Sequence, residues 1–173
     1  MNLNDFYADY RPNVGVMLFN RQGKVWVGRR LMDDDDLEEA RAPWRWQAPQ
    51  GGIDKGESVL EAAFRELKEE TGVTSATVLT ITPGWLIYDF PPEFKKKRWR
   101  GQKQKWAAML FTGEDSEIAL DADDFQEFDQ WRWEDLEELH DLIVPFKRGV
   151  YRSVIEGFIP LRDFLKTGAG SQK

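Results

Sequence analysis

Hydrophobic positions along this chain change period several times. Val14 to Phe19 is a continuous apolar run, and Lys24 to Gly28 carries Val25, Trp26 and Val27. With the turn-forming Asn20-Arg21-Gln22-Gly23 between them, the two runs predict strands joined by a tight turn. Trp44 to Ala48 predicts a short strand ending before Pro49, and Thr77–Thr82, Trp85–Phe90, Trp106–Thr112 and Phe128–Trp133 predict four more. In between, Leu60, Ala63, Phe64 and Leu67 recur at i, i+3, i+4 and i+7, which predicts a helix over Ser58–Glu70 with these four as its core stripe. Ser58 with Glu61 fits a capping box, and Gly72 stands where a helix commonly stops. Glu134–Leu142 predicts a short helix and Pro145–Leu165 a long one, which Pro160 should bend or break. The acidic stretch Leu31–Pro43 and the glycine-rich stretch Gly51–Gly56 read as loops, and Thr167–Lys173 as a flexible tail.

No repeat or linker interrupts this order. It predicts one mixed α/β domain over residues 1–173, with an ordered core from about Tyr10 to Leu165. No apolar run reaches the ~20 residues that span a bilayer. The acidic Met1–Tyr10 lacks a signal-peptide core, so the expected compartment is the cytoplasm. The absence of cysteine excludes disulfides, thiol nucleophiles and thiolate-held metals, and the single histidine, His140, excludes a histidine-rich metal site. Catalysis must then rest on carboxylates, Lys, Arg, hydroxyls and hard metal ions.

The chain has 24 Lys and Arg against 31 Asp and Glu, a net charge of −7. Its cations are unevenly placed. Lys95, Lys96, Lys97, Arg98, Arg100, Lys103 and Lys105 form one basic segment, while acids cluster at Asp33–Asp36 and between Glu114 and Asp129. The basic segment reads either as a solvated loop or, with Trp99 and Trp106 interleaved, as a local contact for nucleic acid.

On the first helix Glu66, Glu69 and Glu70 occupy one arc at i, i+3 and i+4, a spacing at which like charges repel. One reading is a solvated acidic face relieved by Arg65, which is spaced to pair with Glu61 and Glu69. That leaves Glu66 and Glu70 without a cation in register. A hard divalent ion, Mg²⁺ or Mn²⁺, is the alternative relief.

Gly51, Glu57 and Arg65-Glu66-Leu67-Lys68-Glu69-Glu70-Thr71-Gly72-Val73 match the Nudix box, G-x5-E-x7-R-E-U-x-E-E-x-G-U with U aliphatic, at every fixed position. The chain therefore resembles a Nudix hydrolase. The resemblance implies an α/β/α sandwich with a mixed sheet, and metal-dependent attack of water on a nucleoside diphosphate linked to another group. It extends over Tyr10–Gly15, Trp46–Gly52, Gly101–Trp106, Glu127–Trp133, Pro145–Arg148 and Val150-Tyr151, which are similar to the bacterial RNA pyrophosphohydrolase group. That group is related to dinucleoside tetraphosphate hydrolases. Two departures, the acidic insertion Met32–Arg41 and Ala48 at a position that is often aromatic, bear on substrate preference and not on reaction class.

Position by position, the resemblance implies Glu66, Glu69 and Glu70 as catalytic metal ligands, with Glu127 joining them and Glu66 or Glu70 also handling the water. It implies Arg11, Arg30, Phe146 and Lys147 as substrate contacts, and Gly51, Glu57, Arg65 and Gly72 as structural. Tyr88 is either a base-stacking ring or core, and His140 a surface residue. The leading expectation is removal of pyrophosphate from 5′-triphosphorylated RNA. The alternative is hydrolysis of diadenosine tetraphosphate to ATP and AMP, and a different class is a catalytically silent nucleotide-binding module.

Overall fold

The computed structural model describes residues 7–31, 44–92 and 98–168. The strands are β1 (Tyr10–Phe19), β2 (Val25–Arg30), β3 (Trp46–Gln47), β4 (Gln50–Gly52), β5 (Ala76–Ile81), β6 (Leu86–Asp89), β7 (Gly101–Phe111) and β8 (Phe128–Glu134). The helices are α1 (Val59–Thr71), α2 (Leu139–Leu142) and α3 (Arg148–Gly168), with a 3₁₀ turn at Pro145–Lys147 leading into α3. Along the sheet the order is β3-β2-β1-β7-β5, with β4 beside β1, β6 beside β7 and β8 beside β2. β1 and β7 run parallel from Tyr10↔Gly101 to Phe19↔Leu110. The other pairings are antiparallel, so the sheet is mixed.

β1 sits centrally and is buried from Asn13 to Phe19, which explains its unbroken apolar run. Its side chains alternate between two cores. Val14, Val16 and Leu18 join Ala62, Ala63 and Leu67 of α1, while Met17 and Phe19 join Tyr151, Val154, Ile155 and Phe158 of α3. A helix on each face makes the α/β/α sandwich.

Four features differ from the sequence reading. The buried face of α1 is Ala62, Ala63, Glu66, Leu67 and Thr71, and Leu60 and Phe64 are 39% and 38% exposed. Small alanines let the helix lie close to the sheet, and the resulting rotation puts a glutamate in the buried stripe. β7 begins at Gly101, five residues earlier than its apolar pattern, because β1 and β6 pair with the polar run Gly101–Lys105 from both sides. Gly51 and Gly52, read as loop, belong to a strand, Gln50–Gly52, paired with β1. Pro160 lies inside α3, which continues to Gly168, and Val150 to Leu165 pack on the sheet from both sides of the proline. The insertion Met32–Arg41 and residues 169–173 of the expected tail lie outside the described residues.

Candidate active site

β4 and α1 build the centre. A Cβ on Gly51 would overlap the Glu66 carboxylate, and one on Gly52 would overlap the Arg11 guanidinium. The two glycines thus let a carboxylate and a cation lie directly on the strand. α1 starts from a complete capping box, with Ser58 and Glu61 each accepting the other's backbone N–H, and ends at Gly72 in the left-handed region with φ 73°. The ends of the helix are therefore set by local chemistry, and with them the height of its carboxylates.

Arg65 ties the loop to the helix. Its Nε and Nη2 donate to the two Glu57 oxygens at 2.8 and 2.9 Å, Nη2 to Gly52 O at 2.8 Å, and Nη1 to Glu66 Oε1 at 2.7 Å and Glu69 Oε2 at 3.2 Å. Sequence spacing paired it with Glu61 and left Glu66 without a cation. The structure instead gives it Glu57 and Glu66, because the returning loop and the buried face of α1 meet at this guanidinium. The Arg65 bonds, with the Asp54 N–H, hold the Glu57 carboxyl down to about 2.

Glu66 titrates above the usual carboxylate range because it is buried, an effect that Arg65 opposes. Glu70 is pushed well above that range, first by burial and then by the negative charges of Glu127 and Glu66. The Gln50 N–H, donated to Glu70 Oε2 at 3.0 Å, and Lys147 act the other way. Glu127 is held at the rim, where its carbonyl accepts the Leu31 N–H at 2.9 Å and its carboxylate accepts Arg30 Nε at 3.0 Å.

Beneath these groups is a buried amide network that the sequence reading missed. Lys147 Nζ donates to Gln47 Oε1 at 3.1 Å and Gln50 Oε1 at 3.3 Å. Gln104 Nε2 donates to Asn13 Oδ1 at 2.7 Å and Gln50 Oε1 at 3.2 Å, and Trp106 Nε1 donates to Gln104 Oε1 at 3.3 Å. The available signal was Gln102 and Gln104 two apart, in phase with Trp106. Tyr88 is buried, donates its hydroxyl to Gln102 Oε1, and lies with its ring 5.7 Å from that of Phe146. Tyr88 is thus core in this fold, and Phe146 is half-buried beside it.

Arg11, Lys147, Glu66 and Glu70 therefore gather around β4, with Phe146 beside Tyr88 on β6 and Arg30 and Glu127 paired at the rim. Glu69 is tied to this group through Arg65 Nη1 at 3.2 Å. His140, on α2, contacts Asp141 and Arg152. Of the basic segment, Lys95, Lys96 and Lys97 lie outside the described residues. Arg98 lies over Trp99 and Arg100 pairs with Asp89 at 2.9 Å in the exposed bend before β7, whereas Lys103 and Lys105 belong to β7 itself and lie over the Trp85 ring.

The donor set is oxygen-only, as a hard divalent cation requires, and the Cβ-free cradle at Gly51 keeps one carboxylate at the centre. Among the described residues no three acids are already drawn together to enclose an ion. Arg65 holds Glu66 and Glu69, and Gln50 holds Glu70. The residues fit such an ion in type, and Arg65 takes only Oε1 of Glu66 and Oε2 of Glu69, one oxygen of each carboxylate.

A family model described as the NUDIX domain matches residues 9–154. The chain belongs to the Nudix family. Among similar curated proteins, an RNA pyrophosphohydrolase of Caulobacter vibrioides is 53% identical over 157 residues, covering 88% of this chain and 87% of that protein. One of Novosphingobium aromaticivorans is 51% identical over 164 residues, covering 90% of this chain and 98% of that protein. Among solved structures, the Escherichia coli dihydroneopterin triphosphate pyrophosphohydrolase superposes with a TM-score of 0.65 at 21% identity, covering 88% of this Nudix chain and 98% of that one. A Caenorhabditis elegans Ap4A hydrolase complex gives 0.60 at 19% identity, covering 87% and 98%. At these identities the solved structures speak for the Nudix fold alone. Members of the family are generally divalent-metal dependent. Among the described residues of this one, no helix is long and apolar enough to cross a membrane.

Proposed function

We propose that this Nudix protein is an RNA pyrophosphohydrolase of the cytoplasm that hydrolyses the 5′-triphosphate end of RNA, releasing pyrophosphate and leaving a 5′-monophosphate that opens the transcript to decay. The observation that carries this reading is identity of about half over nearly the full length of RNA pyrophosphohydrolases. The arrangement of carboxylates facing Arg11, Lys147 and Arg30 agrees with it. Water adds at phosphorus, the anhydride between the α- and β-phosphates breaks, and the proton released from water passes to a carboxylate.

When bound, a divalent ion, Mg²⁺ or Mn²⁺, neutralises the polyphosphate and activates water, and Glu66, Glu69, Glu70 and Glu127 are the residues that would hold it. Glu66 or Glu70 also orients the water and takes its proton. Lys147, fixed by Gln47 and Gln50, and Arg11, lying on Gly52, supply the fixed positive charge that a phosphoryl-transfer transition state needs. Arg30 and Phe146 receive the first nucleotides. Glu57, Arg65, Gly51 and Gly72 hold these groups in place and do no chemistry.

The test is turnover of a triphosphorylated oligonucleotide and of diadenosine tetraphosphate side by side, with products resolved, in Mg²⁺, in Mn²⁺ and in excess chelator. Pyrophosphate release from RNA with the higher kcat/KM, abolished by chelator, is the expected result. Preference for the dinucleotide, with ATP and AMP formed, would replace the RNA reading. Full activity in chelator would remove the metal from it.

A further inference from the structure

We propose that the body of the RNA, beyond the nucleotides at the reacting end, runs over a ledge of alternating indole and guanidinium groups made by Trp44, Trp46, Arg132 and Arg148. The proposal rests on the RNA reading above and extends it to where the strand goes on leaving the site.

The ledge begins where the site ends. Lys147 is inside, bonded to Gln47, and the residues next to these two in the chain are Arg148 and Trp46. The Arg148 guanidinium lies 5.5 Å from the centre of the Trp44 ring, and that of Arg132 lies 4.1 Å from the Trp46 ring. Strand register continues the row outward, with Trp46 opposite Arg29 on β2 and Arg132 opposite Val27. Both indoles are half-buried, so each is anchored from beneath and keeps an accessible part.

Among the described residues, arginines outnumber their carboxylate partners along the ledge. Arg29, Arg45, Arg132 and Arg148 face two carboxylates, Asp129 and Glu134, on a chain of net charge −7. Asp129 takes both contacts of Arg29 at 2.7 and 2.8 Å, and Glu134 takes Arg132. Arg148 has no carboxylate at ion-pair distance among the described residues, and the Nε atoms of Arg148 and Arg45 are shielded from water with no hydrogen-bond partner there. Indole and guanidinium planes both stack on bases without regard to sequence, and the guanidinium charge follows the phosphates. An unpaired strand offers both bases and phosphates, whereas a duplex hides its bases. The basic segment on β7 competes poorly for this role. Strand alternation from Trp106, which packs on Tyr151 of α3, places Lys103 and Lys105 on the opposite face of the sheet from the ledge.

The test compares a triphosphorylated dinucleotide with a triphosphorylated twelve-nucleotide RNA on the wild type, Trp44→Ala, Arg132→Gln, their combination, and a Lys103→Ala/Lys105→Ala control. Losing one stacking platform should raise KM for the longer RNA about fivefold, and the combination about tenfold or more, with a shallower salt dependence. KM for the dinucleotide, kcat and the control should stay at wild-type values. Binding of an unphosphorylated twelve-nucleotide RNA, followed by fluorescence anisotropy in chelator, should weaken in step without any turnover. Equal changes at both lengths, no change at either, or the same length-dependent loss in the control would overturn the ledge. If Trp44→Ala fails to fold, Arg132→Gln carries the comparison. A wild type that ignores triphosphorylated RNA yet binds the longer strand through Trp44 and Arg132 would remove the functional reading and leave the ledge. Turnover without length dependence would do the reverse.

Discussion

Gly51→Ala separates the position of a carboxylate from the stability of the fold. The added methyl group would lie closer to the Glu66 carboxylate than real Cβ atoms come to any neighbour, whereas ordinary contact begins at 3.4 Å. β4 is held by β1 through Asn13↔Gly52, Val14↔Gly51 and Gly15↔Gln50, so the end of the Glu66 side chain gives way and the strand does not. Retreat by on the order of 1 Å is a displacement that costs about 100-fold in rate when a reacting group is misplaced. The stability cost is limited to the Arg65–Glu66 bond, 30% exposed on the arginine side, at about 1–2 kcal/mol. For a chain of this size that is roughly 2–8 °C in melting temperature. The assay is single-turnover pyrophosphate release beside a thermal melt, with Glu66→Gln and the double variant in parallel. If both single variants disable the same group, the double variant should be little worse than either. Turnover within threefold of wild type would refute the assignment of Glu66, and loss of folding would show that the glycine serves the strand and not the carboxylate.

Glu70→Gln should lower turnover by orders of magnitude while raising the melting temperature at neutral pH in chelator. Burial, Glu127 and Glu66 raise the Glu70 pKa, so its ionised form opposes folding; the gain from glutamine is full above the raised pKa, shrinks as pH falls through it and is gone below the ordinary carboxylate value, and a melt that drops at neutral pH would contradict this. Glu57→Gln has the opposite dependence. The Glu57 carboxyl is held at about 2 against an ordinary 4.5, so its contribution to stability is complete above 4.5 and is lost as pH falls towards 2. The melting difference from wild type should close over that interval, and a constant difference would sink the argument. Replacing the exposed Leu60 and Phe64 by Gln should cost under about 0.5 kcal/mol each, whereas Leu67→Ala should cost about 2–5 kcal/mol, as urea unfolding will report.

What the sequence determined by itself is the chemistry carried by short separations. The capping box at Ser58 and Glu61, the stop at Gly72, and the row Glu66, Glu69 and Glu70 are all set within one helix, where 3.6 residues per turn fixes which groups are neighbours. The box pattern therefore led to the family and to the carboxylates. What only the tertiary structure decided is how that helix is turned and what meets it. Of the stripe Leu60, Ala63, Phe64 and Leu67, the structure buries Ala63 and Leu67 but turns Leu60 and Phe64 outward in favour of Ala62, Glu66 and Thr71, a choice that depended on how closely the sheet could approach. Arg65 could be paired by spacing along the helix, yet its partners Glu57 and Gly52 arrive with the preceding loop. The amide network depends on the parallel register of β1 and β7, which sets Asn13 opposite Gln104 across 91 positions. No local pattern encodes that pairing, because the free energy that selects it comes from burying two apolar faces of the same central strand at once.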